Sequence, residues 1–174
     1  MSWEDLQKEK ERRENAKPFV RLKDGQSVQG VFAGEPVQFY HKFSDKAFYR
    51  DYVKGAGYRF RINFVTKDQD GKMVAKVFEG GRRIADAIME LKNEIGLEKV
   101  FLIKRQGSEM NNTSYSLIPK SDLTAEQKTA LAAVTLVDLN PEYGEQPADE
   151  HSTDVVPDAV QGLEELKEAE SIPF

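Results

Sequence analysis

The stretch Tyr58-Arg-Phe-Arg-Ile-Asn-Phe-Val-Thr66 decides the fold class of this chain. Its large apolar side chains recur at every second position, and polar side chains fill the positions between them, namely Arg59, Arg61 and Asn63. A period of two places the two sets on opposite faces of a β-strand. We therefore predict a strand with one buried apolar face and one polar face.

The segments on both sides of this strand predict a mainly β chain with a few helices. Asp24-Gly25 and Asp70-Gly71 are tight-turn sequences, because glycine readily adopts positive φ. Apolar residues recur at steps of three and four between Gly81 and Gly96, which predicts an amphipathic helix. The further predicted strands cover residues 19–22, 27–33, 37–43, 73–78, 99–106 and 113–118, and short helices cover residues 2–15 and 124–133.

The order of these elements is several antiparallel strands, one helix and two more strands. That order is expected of a five-stranded oligonucleotide/oligosaccharide-binding (OB) barrel, which binds along one strand face and through the loops that join its first two and its last two strands. A generic small β-barrel with a helix plug has the same order, so both architectures are open at this point. We expect residues 1–17 to form a helical extension, residues 18–137 the OB-type domain, and residues 44–57 a long loop within it.

Charge is divided unequally along the chain. Residues 1–137 carry 24 Lys and Arg against 19 Asp and Glu, whereas residues 138–174 carry one against eleven. The formal charges of the two parts are therefore +5 and −10. A basic body favours a polyanionic partner. The prolines and scattered acids of residues 138–174 predict an acidic, disordered C-terminal tail.

The composition argues against several classes of function. The chain has no cysteine and only two histidines, His41 and His151, which removes thiolate zinc sites and cysteine nucleophiles. It contains no phosphate-binding Gly-rich loop, nucleophile elbow or His-Glu-x-x-His motif. We therefore expect no enzyme activity, no cofactor and no metal site. No apolar run approaches the ~20 residues of a transmembrane helix, and the N-terminal sequence is unlike a signal peptide, so we expect a cytoplasmic protein with no membrane partner.

Aromatic and basic residues are concentrated between positions 38 and 61, which we call the aromatic-basic window. It holds eight of the seventeen aromatic residues of the chain, together with six Lys or Arg and only two Asp. Every nucleobase offers a face for stacking and every nucleotide a phosphate for a cation, and neither contact depends on base sequence. The candidate nucleic-acid-binding residues are Tyr40, Lys42, Lys46, Phe48, Tyr49, Arg50, Tyr52, Lys54, Arg59 and Arg61 from the window, and Lys104 and Arg105 from the end of a later strand beside a polar loop.

These residue types also have ordinary structural roles. Strand alternation favours a core position for four rings of the window, Phe39, Phe43, Tyr58 and Phe60. Phe48, Tyr49 and Tyr52 fall in the expected loop, where base stacking and packing are both open interpretations. Arg59 and Arg61 are either phosphate contacts or ordinary solvated charges.

The chain ends in Glu168-Ala-Glu-Ser-Ile-Pro-Phe174. This ending resembles the acidic tip of bacterial single-stranded DNA-binding proteins, which finishes in Ile-Pro-Phe. The body is similar to the OB-fold single-stranded DNA-binding proteins of tailed bacteriophages. That similarity lies in Phe19-Val-Arg-Leu-Lys-Asp-Gly25, Gly30-Val-Phe-Ala-Gly-Glu-Pro36, Arg59-Phe-Arg-Ile-Asn-Phe64 and the region from Lys104-Arg-Gln-Gly107 to Tyr115-Ser-Leu-Ile-Pro119.

The resemblance implies a sequence-independent single-stranded DNA-binding protein that acts in phage DNA replication or recombination in the cytoplasm of the bacterial host. It also implies that Ile172, Pro173 and Phe174 bind a pocket on replication or recombination proteins. Charge separately allows the tethered acidic tail to compete with DNA for the basic body. Two alternatives are open: a protein-interaction adaptor with an OB-like barrel, and an RNA-binding protein of the cold-shock type. The sequence predicts no oligomeric state.

Overall fold

The computed structural model of the protein describes residues 2–14, 17–109 and 112–147. Within them the chain is mainly β, as predicted, and no helix in this part of the chain is long and apolar enough to cross a membrane. The elements in chain order are α1 (Trp3–Glu14), β1 (Ser27–Lys42), β2 (Ala47–Tyr49), β3 (Gly57–Lys67), β4 (Met73–Gly80), α2 (Arg82–Glu94), β5 (Lys99–Gln106), β6 (Ser114–Asp122) and α3 (Ala125–Ala132).

The chain forms two compact units that are interleaved in sequence. The first unit comprises Met1–Val37 and Phe60–Leu139, and the second comprises Gln38–Arg59 and Asn140–Phe174. In the first unit the antiparallel sheet has the strand order β4-β3-β1-β5-β6, an open path that begins at β4 and ends at β6. In the second unit β2 pairs with the last residues of β1.

Local sequence signals located the helices well. α1 follows Ser2, whose side-chain Oγ accepts a hydrogen bond from the backbone N–H of Asp5 at 3.1 Å. α3 follows Thr124, which forms a reciprocal capping box with Gln127. α2 ends before Gly96, which adopts the expected left-handed conformation with φ of 77°. The predicted helices are therefore confirmed, with small shifts of their ends.

The first predicted hairpin is wrong. Residues 19–22 form no strand, and only Phe19 makes an isolated parallel bridge, to Val77 of β4. The Asp24-Gly25 turn instead lies beside β5, where the backbone N–H of Gly25 donates to the carbonyl of Arg105 at 2.9 Å. The turn signal was correct, but turn residues do not specify which strands pair on either side of them.

β1 is one strand of 16 residues rather than the two separate strands that were predicted. The two predicted strands left out Gly34-Glu35-Pro36, but the strand passes through these residues with Gly34 at a φ of 72°. The two ends of β1 have different partners. Residues from Ser27 pair with β5 in the first unit, and residues up to Lys42 pair with β2 in the second unit.

β3 is buried on both faces, so its polar face is not exposed. The side-chain amide of Asn63 makes two hydrogen bonds to the backbone of Val137: its Nδ2 donates to the carbonyl at 3.1 Å, and its Oδ1 accepts from the N–H at 2.9 Å. Arg61 Nη1 donates to the carbonyl of Leu139 at 3.4 Å. The chain segment around these two residues therefore covers the polar side of β3 within the first unit.

The core of the first unit is a cluster of phenylalanine rings. The ring centroid of Phe32 lies 5.0 Å from that of Phe64, 5.4 Å from that of Phe101 and 6.3 Å from that of Phe78. Gly30 allows β1 to pass close to β3, because a Cβ at this position would lie 2.7 Å from the Phe64 ring. Rings from β1, β3, β4 and β5 thus hold the sheet together.

The part of the expected tail that the structure describes, residues 138–147, is packed rather than disordered. Leu139 is buried in the first unit and Pro141 is buried in the second. Composition predicted disorder here because it does not register contacts with distant residues, such as the hydrogen bond from the Gly144 N–H to the Phe48 carbonyl. The remaining residues 148–174, with the predicted partner-binding tip Ile172, Pro173 and Phe174, lie outside the described residues.

Candidate nucleic-acid interface

The aromatic-basic window forms a β-hairpin in the second unit. β1 and β2 pair in antiparallel register, with His41 opposite Phe48 and Tyr40 opposite Tyr49. Opposed residues of an antiparallel pair place their side chains on the same face. The hairpin therefore carries two separate sets of rings, one on each face. The expected long loop over residues 44–57 contains β2, and only its tip and its second half are loop.

One face of the hairpin carries a row of four rings, each in contact with the next, which we call the ring stack; His41 and Phe48 are its one parallel pair, Phe39 meets Phe48 edge to face, and Phe43 is tilted against His41. Phe39 is fully buried, and its ring centroid lies 5.5 Å from that of Phe48. Phe48 lies 4.6 Å from His41 with an interplanar angle of 18°, and His41 lies 4.2 Å from Phe43. Phe43 is 67% exposed. The ring stack thus runs from the interior of the second unit to solvent and ends in an open aromatic surface.

The other face of the hairpin carries a cluster of three tyrosines. The ring of Tyr40 lies 5.6 Å from that of Tyr52 and 6.0 Å from that of Tyr58, in both cases edge to face. The hydroxyl of Tyr58 donates to Oε1 of Gln38 at 3.3 Å. All three tyrosines are half-buried. These rings hold one another in place, so they offer edges and hydroxyls to a ligand more readily than open faces.

Three exposed cations of the window lie on the hairpin and the loop after it, namely Lys46, Arg50 and Lys54. Lys46 is at the hairpin tip and adopts a φ of 50°, which is uncommon for a residue with a side chain. Arg59 is half-buried at the end of the window. Three of the five nominated cations of this unit are therefore exposed.

Lys42 is the cation of the hairpin with a close acidic neighbour. Its Nζ lies 3.0 Å from Oδ2 of Asp45. This hydrogen bond from Lys42 is the main cause that lowers the pKa of the Asp45 carboxyl below its usual value. Asp45 is therefore ionised at neutral pH and partly neutralises the positive charge of Lys42. A phosphate that binds Lys42 has to compete with this carboxylate.

The outer edge of β2 is covered by residues 143–146, which we call the edge segment. Tyr143 forms a parallel bridge with Phe48, and the backbone N–H of Gly144 donates to the Phe48 carbonyl at 2.8 Å. The guanidinium carbon of Arg50 lies 4.4 Å from the centroid of the Tyr143 ring, a cation–π contact. Tyr49, on the same short strand, is only 8% exposed, so in this conformation it has no face for a base.

Arg61 belongs to the first unit and does not present its charge to solvent. It is 6% exposed, its Nε donates to Oε1 of Glu79 at 2.9 Å, and its guanidinium lies 5.1 Å from the Phe19 ring. Arg61 therefore has a structural role. Removing either Arg61 or Glu79 would leave the charge of the remaining residue without its partner inside the protein. The sequence left two interpretations of Arg61 open, a phosphate contact and a solvated charge, and its buried position fits neither of them.

Lys104 and Arg105 also belong to the first unit, and both are half-buried. Arg105 Nη1 donates to the carbonyl of Leu22 at 2.6 Å, and Arg105 Nε donates to the carbonyl of Gly107 at 3.2 Å. The loop after β5 is fixed further by a hydrogen bond from the Gly107 N–H to Oδ1 of Asp24 at 2.8 Å. Arg105 therefore organises two loops of the first unit rather than offering a free cation.

Two rings of the candidate interface, Phe43 and His41, were not nominated from the sequence. Phe43 was expected in the core because it continues the alternation of β1, but the strand ends at Lys42 and the ring projects beyond it. His41 was expected to be a partly buried histidine on the apolar face of the strand, and it is half-buried, but its stacking on Phe48 was not predicted. The signal that could have found both is the spacing of Phe39, His41 and Phe43, which places three flat side chains on one face of a strand end.

The chemistry available in the second unit is aromatic and cationic. Within residues 2–14, 17–109 and 112–147, no group of three or more His, Asp or Glu could hold a metal ion. The unit combines an exposed ring, supported by further rings behind it, with several accessible cations on the same hairpin and the loop that follows.

Comparison of the chain with protein-family models, curated proteins and solved structures found no match.

Proposed function

We propose that this protein binds single-stranded DNA without sequence preference, as part of DNA replication or recombination, and that the β1–β2 hairpin is the principal contact. The observation that carries the proposal is the ring stack, which ends in the exposed face of Phe43 and is anchored on the buried Phe39. Phe43 contacts His41 but is 67% exposed, so much of its ring is open to solvent. It is suited to stack on an unpaired base.

The basic residues beside the ring stack support the same function. Lys46, Arg50 and Lys54 are exposed, and each can contact a phosphate while a neighbouring base stacks. A duplex keeps its bases stacked on one another, so a protruding ring selects for unpaired strands. Neither kind of contact distinguishes one base from another, which is why we expect no sequence preference.

The sheet order supports an OB-type architecture as the finer description of the fold. The order β4-β3-β1-β5-β6, with α2 between β4 and β5, is the order of a five-stranded OB barrel opened between its third and fifth strands. On that correspondence the hairpin of β1 and β2 lies in the connection between the first and second barrel strands. OB-type barrels use this connection to bind oligonucleotides.

The acidic residues 148–174 have two roles in this proposal. They carry eight Asp or Glu and one Lys, and so compete with DNA for the cations of the body at the high effective concentration of a tethered chain. When DNA occupies the cations, Ile172, Pro173 and Phe174 become available to a replication or recombination protein.

Competition binding tests the proposed function directly. A fluorescent oligo-dT should bind the full chain, unlabelled single-stranded DNA should displace it, and duplex of the same length should compete poorly. The affinity should fall with salt, with a log–log slope of ~−0.7 for each phosphate neutralised. Preferential displacement by RNA would assign the protein to the cold-shock type instead. Absence of binding to all three nucleic acids would reject the proposal and favour the protein-interaction adaptor.

A further inference from the structure

The contact between Arg50 and Tyr143 resembles a contact that the proposed ligand would make. Arg50 is exposed, and among the described residues it has no carboxylate partner; its guanidinium lies over the Tyr143 ring at 4.4 Å. Arginine stacks on nucleobases in single-stranded nucleic-acid-binding proteins through the same cation–π geometry. Tyr143 therefore occupies a face of Arg50 that a base can use.

The edge segment is joined to β2 and to the residues after it over a short length of chain. The N–H of Gly144 donates to the carbonyl of Phe48 at 2.8 Å. The Gln146 side chain adds two hydrogen bonds to the backbone of Asp51, both at 3.4 Å, near the upper limit of useful length. A single bridge pairs the segment with β2. Gly144 also lies against the ring of Tyr49, which is 8% exposed, so release of the segment would uncover that ring.

The chain before the edge segment is anchored much more firmly. Pro141 is buried in the second unit, and Leu139 is buried in the first. If the edge segment detaches from β2, we therefore expect the detached part of the chain to begin at Tyr143. The residues that follow the edge segment in sequence are the acidic residues 148–174, so any movement of the segment moves the start of the acidic run.

We propose that the edge segment is a latch that single-stranded nucleic acid displaces, with a base taking the place of Tyr143 on Arg50. This inference rests on the proposed function of the hairpin. In the free protein the latch occupies Arg50 and the outer edge of β2. In the complex it is released from both.

Two substitutions of Tyr143 separate the effect of its ring on DNA binding from the effect of the rest of the edge segment. Tyr143→Ala removes the cation–π contact and should tighten the binding of labelled oligo-dT about two- to fivefold, since an exposed contact of this kind is weak. Tyr143→Phe keeps the ring and serves as the matched control, with unchanged affinity expected. In an Arg50→Ala background, Tyr143→Ala should give no gain.

The outcomes distinguish the latch from the proposed function. If the unmodified protein binds oligo-dT and Tyr143→Ala binds equally or more weakly, the latch is wrong and the proposed function stands. A gain that persists in the Arg50→Ala background also overturns the latch. If neither the protein nor any variant binds oligo-dT, both proposals fall.

Hydrogen exchange gives a second readout that does not depend on affinity. Saturating oligo-dT should accelerate amide exchange in the peptide that contains the edge segment, because the N–H of Gly144 loses its acceptor on Phe48. Exchange in the hairpin around His41 should slow in the same sample. Unchanged or slower exchange in the edge segment upon binding would overturn the latch.

Discussion

Replacing Phe43 by alanine should weaken the binding of single-stranded DNA without unfolding the protein. The ring is 67% exposed, and its neighbour among the described rings is His41 at 4.2 Å, so one face is available to a base. Stacking of a base on a protein ring contributes ~1–3 kcal/mol by alanine substitution. With one available face we expect the lower part of that range, about 1–2 kcal/mol, which corresponds to about a five- to thirtyfold higher Kd.

The effect on stability should be much smaller than the effect on binding. An exposed side chain away from caps and buried networks changes the free energy of unfolding by less than about 1 kcal/mol when truncated. Phe48→Ala gives the contrast, since Phe48 lies between His41 and the fully buried Phe39 and should lose both stability and affinity. Urea denaturation measures the first quantity and fluorescence anisotropy of labelled oligo-dT the second.

Trp3→Ala is the matched control for Phe43→Ala. Trp3 is the single tryptophan of the chain, is 87% exposed and lies on α1, outside the aromatic-basic window. Its loss should leave the affinity unchanged. The reasoning is refuted if folded Phe43→Ala protein binds oligo-dT as tightly as the unmodified protein, or if Trp3→Ala weakens binding as much as Phe43→Ala does.

Three further substitutions or deletions give measurable outcomes. Deletion of residues 148–174 should tighten oligo-dT binding at low salt and have little effect at high salt, and equal affinity at low salt would contradict competition by the acidic residues. Asp45→Asn should also tighten oligo-dT binding, because it removes the carboxylate that pairs with Lys42. The pKa of the Asp45 carboxyl is lowered, so in the unmodified protein this group stays ionised until the pH falls below the usual pKa of an aspartate. The gain in affinity should therefore be constant from neutral to mildly acidic pH and disappear only in strong acid. Asn63→Ala should lower the free energy of unfolding by about 2–4 kcal/mol in urea denaturation, because the N–H and carbonyl of Val137 lose their partners, and a loss below about 0.5 kcal/mol would show that water replaces the amide.

The sequence predicted elements whose signals are local. The alternation of residues 58–66 located β3, and the spacing before Gly96 located α2. These signals work because side-chain period and backbone dihedral preferences belong to neighbouring residues. The bounds of β5 were predicted without error for the same reason.

The errors concern contacts between residues that are distant in sequence. Arg61 looked like a surface cation because its partners Leu139 and Glu79 come from other segments of the chain. Arg105 looked like a phosphate contact because nothing near it in sequence indicates that Leu22 accepts its hydrogen bond. Phe43 was misassigned because strand alternation does not say where a strand stops. Composition likewise located the aromatic-basic window but could not determine which of its rings face solvent.

The second unit is assembled from two stretches of chain that are separated by the whole stretch Phe60–Leu139. A ribosome that has just completed β2 has therefore produced only the first residues of this unit, and the outer edge of that strand lacks the partner that Gly144 provides until that residue has emerged. Nascent chains fold progressively from the N-terminus. During synthesis the hairpin thus passes through a period in which Phe43, Phe48 and an unpaired strand edge are all accessible together, and in that period the edge can pair with another nascent chain.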